Sequence, residues 1–234
     1  FADCTALTEI NYNATAANNL SSFSEVFSNA GQNGTGIIVN IGANVTKLPN
    51  YIFCHNDFDF VPYITTVNFA KGSVCESIGD YAFNYCTRLS SITIPESVKS
   101  IGERAFNYCN SLTSITIPSS VTSIGSSAFF GCSSLTSITI PDSITSIGYN
   151  TFGSCSRLND VTIESDDIYL DLTSQSACGY LINYITSTGE TVKVLKSVVD
   201  SVDPDFTKNT YLNNSSRFTR SVSEDERYYV YTRN

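Results

Sequence analysis

One interval constrains this chain more than any other feature, and it is 23 residues long. Phe83, Phe106, Phe129 and Phe152 recur at that spacing, and so do Cys86, Cys109, Cys132, Cys155 and Leu89, Leu112, Leu135, Leu158. Three residue types held in one register mark a structural repeat, since composition alone does not keep them in step. Periods between about 20 and 50 residues belong to solenoids, whose coils are too thin to bury an apolar side alone and do so by stacking. With 41% of its 234 residues hydrophobic, the chain can bury such a core.

Within the coil "LSSITIPESVKSIGERAFNYC", Leu89, Ile92 and Ile94 take inward positions while Ser91 and Thr93 point outward by the period-2 rule. Pro95, Pro118 and Pro141 end each strand, because proline brings no N–H to a ladder. "VKSIG" and "VTSIG" read as turns in which Gly102, Gly125 and Gly148 supply backbone freedom. A short helical or 3₁₀ turn is expected next, with Ala105 and Phe106 facing inward. Looser copies extend the array in both directions, through Phe1, Cys4, Leu7 and Ile10 at the start and through Cys178, Leu181, Val192, Val194 and Val198 at the end. Strand centres at Ile10, Val39, Val67, Ile92, Ile115, Ile138, Val161 and Val192 give a sheet of eight rungs, about 35–40 Å long.

The expected fold class is therefore an α/β solenoid: a curved leucine-rich-repeat array with short parallel strands on its concave face, and irregular turns and short helices elsewhere. Residues 1–198 form the solenoid, with the clean repeats over 78–163 and a helical insertion over 16–34. Residues 199–234, closing on "RYYVYT", read as a C-terminal cap over the last open edge. The chain lacks methionine and opens inside a coil at Phe1, so a segment of a longer protein is expected.

The coil pattern LxxIxIPxxVxxIGxxAFxxCxx resembles the BspA-type leucine-rich repeat, found in surface proteins of anaerobic gut and oral bacteria and of some parasitic protists. The match is specific across 78–163, looser across 39–77 and 164–198, and absent beyond. It departs from ordinary leucine-rich repeats in placing Ser97, Ser120 and Ser143 where an asparagine ladder is expected. The resemblance implies a cell-surface or secreted protein that binds host matrix proteins or other cells.

Composition narrows the partners. A net charge of −9 with no cluster of Lys or Arg makes nucleic acid and anionic membrane poor partners. No stretch approaches the ~18 apolar residues that span a bilayer, so no membrane contact is expected of this segment. The one histidine, His55, lies beside Cys54, and adjacent residues on an irregular loop do not set a nucleophile against a base, so no enzyme and no cofactor are expected. Glu164, Asp166, Asp167 and Asp171 lack the glycine and alternation of a calcium loop and read as a solvated acidic patch. Cys4, Cys86, Cys109, Cys132, Cys155 and Cys178 share one repeat position and read as an inward stack of free thiols, one rung apart and so beyond the roughly 3.5–4.5 Å Cβ separation of a disulfide. Cys54 and Cys75 fall outside that stack and are the pair to consider for a bridge.

Function is left to the outward strand positions Thr66, Asn68, Ser91, Thr93, Ser114, Thr116, Ser137, Thr139, Asp160 and Thr162. Threonine suits exposed strands in its own right, so this strip is either plain strand surface or a rigid row of donors and acceptors for an extended partner. The expected function is a non-enzymatic adhesion or interaction module that meets an extracellular protein or glycan through its concave face. The rival is a structural spacer or stalk with no ligand of its own. Tyr85, Tyr108 and Phe130, near the repeating cysteines, either pack over their neighbours or form a second binding ridge.

Overall fold

A computed structural model describes residues 1–20, 25–55, 61–164, 191–195, 218–224 and 226–233. The chain is a parallel β-solenoid in which each coil hands backbone hydrogen bonds to the next along three separate ladders. The first is the sheet expected from the Ile-x-Ile pattern. Strands Glu9–Tyr12, Ile37–Ile41, Ile64–Phe69 and Ser91–Ile92 pair in that order, with Val39 opposite Val67 and Val67 opposite Ile92. Ser137–Ile140, Asp160–Ile163 and Thr191–Leu195 repeat the arrangement, with Ile138 opposite Val161 and Val161 opposite Val192. Tyr228–Arg233 and Phe218–Val222 then add two antiparallel strands beyond Thr191–Leu195.

The eight-rung sheet is in fact two sheets, because no strand forms at Ile115. Proline is the cause. Just after the last strand residue, Gly42, Ala70 and Glu164 donate their N–H to the carbonyls of Tyr12, Ile41 and Ile140, one coil back. Pro95, Pro118 and Pro141 hold that position in the three intervening coils and have no N–H to give.

The second ladder lies where turns were expected. Lys47–Leu48, Ser77–Ile78, Ser100–Ile101, Ser123–Ile124 and Ser146–Ile147 form a five-stranded parallel sheet of two-residue strands. The glycines that follow them do not adopt left-handed φ, contrary to the freedom expected of them. They are needed for room: a Cβ on Gly102 would stand 2.6 Å from the backbone nitrogen of Asp80 in the coil before. Beside this sheet, Ser97, Ser120 and Ser143 each donate a hydroxyl to a carbonyl one coil back, those of Cys75, Val98 and Val121, at 2.8, 2.8 and 2.6 Å. Serine thus serves the turn as an asparagine ladder would.

The third ladder replaces the expected helices. Tyr81, Phe83 and Tyr85 donate N–H to Glu103, Ala105 and Asn107, and Arg104, Phe106 and Tyr108 donate to Ser126, Ala128 and Phe130. Among the described residues the only regular helix is the 3₁₀ turn Glu25–Phe27, which is also all that appears of the helical insertion over 16–34. Arg104 and Tyr108, with φ of 50° and 56°, are both left-handed, as are Tyr81 and Tyr85 one coil earlier. Two such residues within five end any α-helix and turn alternate N–H groups toward the neighbouring coil.

Between the ladders lies one core of columns. Phe27, Phe53, Phe83, Phe106, Phe129 and Phe152 follow one another with centroids 5.3–5.7 Å apart. Cys86, Cys109, Cys132 and Cys155 are buried, and each Sγ donates to the carbonyl of a phenylalanine in the preceding coil, at 3.2–3.4 Å. Cys4 departs from the expected inward stack and is exposed. The Cys54–Cys75 bridge does not form; both are buried free thiols, donating to the carbonyls of Tyr51 and Ser77. Cys178, Leu181, Val198 and the carboxylates Asp166, Asp167 and Asp171 lie outside the described residues.

Candidate functional site

The register delivers the outward strand positions as two parallel rows. Thr66 stands opposite Ser91, while Asp160 and Thr162 stand opposite Ser137 and Thr139. Asn68, Ser91, Thr93, Ser114, Thr116, Ser137 and Thr139 are exposed, and Thr66, Asp160 and Thr162 are half-buried. Ser114 and Thr116 share this face but lie in the rung that proline leaves without strand pairing. Six consecutive hydroxyls, from Ser91 to Thr139, therefore form an uncharged strip.

Toward the start of the chain the same row becomes a ladder of amides. Asn68 Nδ2 donates to Asn40 Oδ1 (3.2 Å), and Asn40 Nδ2 donates to Asn11 Oδ1 (3.1 Å) and Glu9 Oε1 (2.8 Å). These amides hold one another in place. The other row carries Ile38, 43% exposed, a surface aliphatic that the strip as read from sequence omits. Its signal is visible in "IIVNI", where Ile37, Val39 and Ile41 take the buried positions and push Ile38 outward.

Tyr85, Tyr108 and Phe130 lie on the third ladder, away from this strip. Tyr85 and Tyr108 stack at 4.8 Å and Phe130 meets Tyr108 edge-on at 5.5 Å. They also wall a groove of about 350 Å³, with Tyr81 and Arg104 on the other side and Asn84 and Asn107 at its floor.

The thiols are poorly placed for chemistry. Burial pushes Cys86, Cys109 and Cys132 well above the ordinary thiol range and Cys155 up to about 12. The thiolate, which is the nucleophile and the metal ligand, is thereby suppressed. Cys54 and His55 are buried as well, and Glu164 accepts a hydrogen bond from the Tyr228 hydroxyl (3.3 Å). Among the described residues no helix is long and apolar enough to cross a membrane.

Comparison with known proteins agrees with this architecture. Residues 76–197 match the BspA type leucine rich repeat region in six copies. A leucine-rich repeat protein from Bacteroides ovatus superposes with a TM-score of 0.53 at 21% identity, covering 69% of this chain and 47% of that one. A leucine rich cell surface protein from Faecalibacterium prausnitzii (29% identity, TM-score 0.43, 68% and 43% covered) and the pneumococcal vaccine antigen PcpA (25%, 0.49, 68% and 36%) are also similar. The chain spans about half or less of the length of each of these structures. No curated protein sequence matches it. Because the repeat match extends over just over half of the residues and the stacked coils carry the pattern, the chain belongs to the BspA-type leucine-rich repeat family.

Proposed function

We propose that the chain is a non-enzymatic interaction module, displayed on a cell surface or secreted, that meets an extracellular protein through its strand face between Thr66 and Thr162. Leucine-rich repeats as a class mediate protein interactions, and family membership supports that much directly. The observation that carries the finer reading is the uncharged double row of six exposed hydroxyls, Ser91 to Thr139, spaced by stacking. A surface locked by ladders on three sides loses little conformational freedom when a partner docks. Neutral donors and acceptors at a fixed pitch suit an extended polar partner, and their contact is little weakened by salt.

The test substitutes T93K and T139K together, two rungs apart so that the new ammonium groups do not face each other. Both sites are exposed, so the free energy of unfolding should stay within about 1 kcal/mol of the parent. Retention on immobilised extracellular-matrix proteins or fixed cells should fall about tenfold or more, since two charges must then be desolvated in a neutral contact. Undiminished retention would reassign the chain to a spacer or stalk.

A further inference from the structure

The strand face comes apart where proline interrupts it, and the rest of each coil does not. Gly42, Ala70 and Glu164 donate to the coil before, whereas Pro95, Pro118 and Pro141 leave the carbonyls of Phe69, Ile94 and Ile117 without that donor. Among the described residues no backbone hydrogen bond joins residues 92–94 to 114–117, or 114–117 to 137–140. Only just before these strands does Thr136 donate to the Thr113 carbonyl, at 3.3 Å. The core shows the same opening. Ile92, Ile94, Ile115 and Ile117 are 5–8% exposed, while Val39, Ile41, Val67, Ile138, Ile140 and Val161 in the paired rungs are 0–3% exposed.

On their other two sides the same coils stay joined. Ser77, Ser100, Ser123 and Ser146 pair in succession, and Tyr81 donates to Glu103 as Arg104 does to Ser126. Coils tied along two sides and untied along the third have one easy motion, a fanning about the tied sides. Backbone N–H and C=O groups on the untied side are met by water, and local opening is cheapest where backbone pairing and apolar burial are both weakest. We propose that residues 92–117 of the strand face form a seam, which admits water to the strand backbone and about which the two flanking sheets swing relative to each other. Ser91 is held in one sheet and Ser137 and Thr139 in the other, so opening changes the distance between two fixed parts of the hydroxyl strip while each keeps its own order. The effect on a docked partner rests on the strand face being the binding surface, but the seam itself stands without it.

Amide hydrogen exchange of the full chain, followed residue by residue by NMR with no partner present, tests the seam independently of whether the strand face binds anything. The amides of Thr93, Ile94, Ile115, Thr116 and Ile117 should have protection factors at least about tenfold below those of the central strands Ile37–Ile41 and Asp160–Ile163, although fraying from the ends of the stack does not reach them. Pro118→Ala returns an N–H opposite the Ile94 carbonyl and should raise protection across residues 114–118 by about tenfold, leaving the second ladder unchanged. Pro118 is buried, so Pro95→Ala, at a half-buried position and opposite the Phe69 carbonyl, repeats the test if the first variant does not fold. Equal protection of the seam and the central strands in the parent, or a folded proline variant whose seam exchanges as fast as before, would overturn the proposal.

Discussion

Replacing Phe106 by alanine is expected to destabilise the chain by about 3–5 kcal/mol, read as a lowered midpoint of chemical unfolding. The ring is fully buried and lies between two others, 5.4 Å from Phe83 at an interplanar angle of 11° and 5.3 Å from Phe129 at 3°. Its removal opens a cavity in the middle of a column and weakens both neighbouring coil interfaces. Each coil of a solenoid contacts only its neighbours, so nothing elsewhere closes over the gap. An exposed ring stacked on this column supplies the control. Phe1 stacks on Phe27 at 5.6 Å but is 69% exposed, and Phe1→Ala should cost under about 1 kcal/mol. Equal midpoints for Phe106→Ala and the parent would mean that the column does not hold the coils together.

Raising the pH should produce the second large loss. Cys86, Cys109, Cys132 and Cys155 are kept protonated by burial, with Cys155 ionising only at about 12. In an unfolded chain the same thiols ionise near pH 8.5. Below about 8.5 their contribution to stability is fully present. Above it the unfolded state releases protons that the folded state retains, so stability falls as pH rises, until each thiol also ionises in the fold. The slope is about 1.4 kcal/mol per pH unit for each thiol, and four acting together approach about 5 kcal/mol per unit. That is enough to unfold an ordinary domain within about two pH units. Unfolding free energies at about pH 7.5 and about pH 9.5 measure the effect, and Cys109→Ala should remove one thiol's share of the slope. A flat profile would mean that these thiols are not buried.

The columns of this fold were legible in the sequence because a column is a repeated residue, and Phe, Cys and Leu hold one interval through the middle of the chain. What escaped depended on single atoms rather than on residue class. The ladder at Ser77–Ile78, Ser100–Ile101 and Ser123–Ile124 is two residues long, too short for alternation to appear, and glycine after each pair resembles a turn. The expected helices gave way because Arg104 and Tyr108 adopt left-handed φ, a choice imposed by stacking and absent from the local propensity of either residue. The break at Ile115 was foreshadowed by proline, whose missing N–H stops a strand and, one coil away, also deprives a carbonyl of its donor. On the surface, the hydroxyl strip follows from period-2 alternation. The groove does not, because Asn107 becomes an orphan acceptor only through its contact with Asn84 on one side and Phe130 on the other.

The most direct measurement of the stacked-coil account is a pair of double-mutant cycles on the phenylalanine column. Phe106 and Phe129 are adjacent rungs 5.3 Å apart, and alanine substitution of both should show a coupling of about 0.5–1.5 kcal/mol. Phe83 and Phe129 share the column with Phe106 between them, and their coupling should stay within about 0.5 kcal/mol of zero. Equal couplings for the two pairs, or none for the adjacent one, would contradict a chain built from rungs that touch only their neighbours.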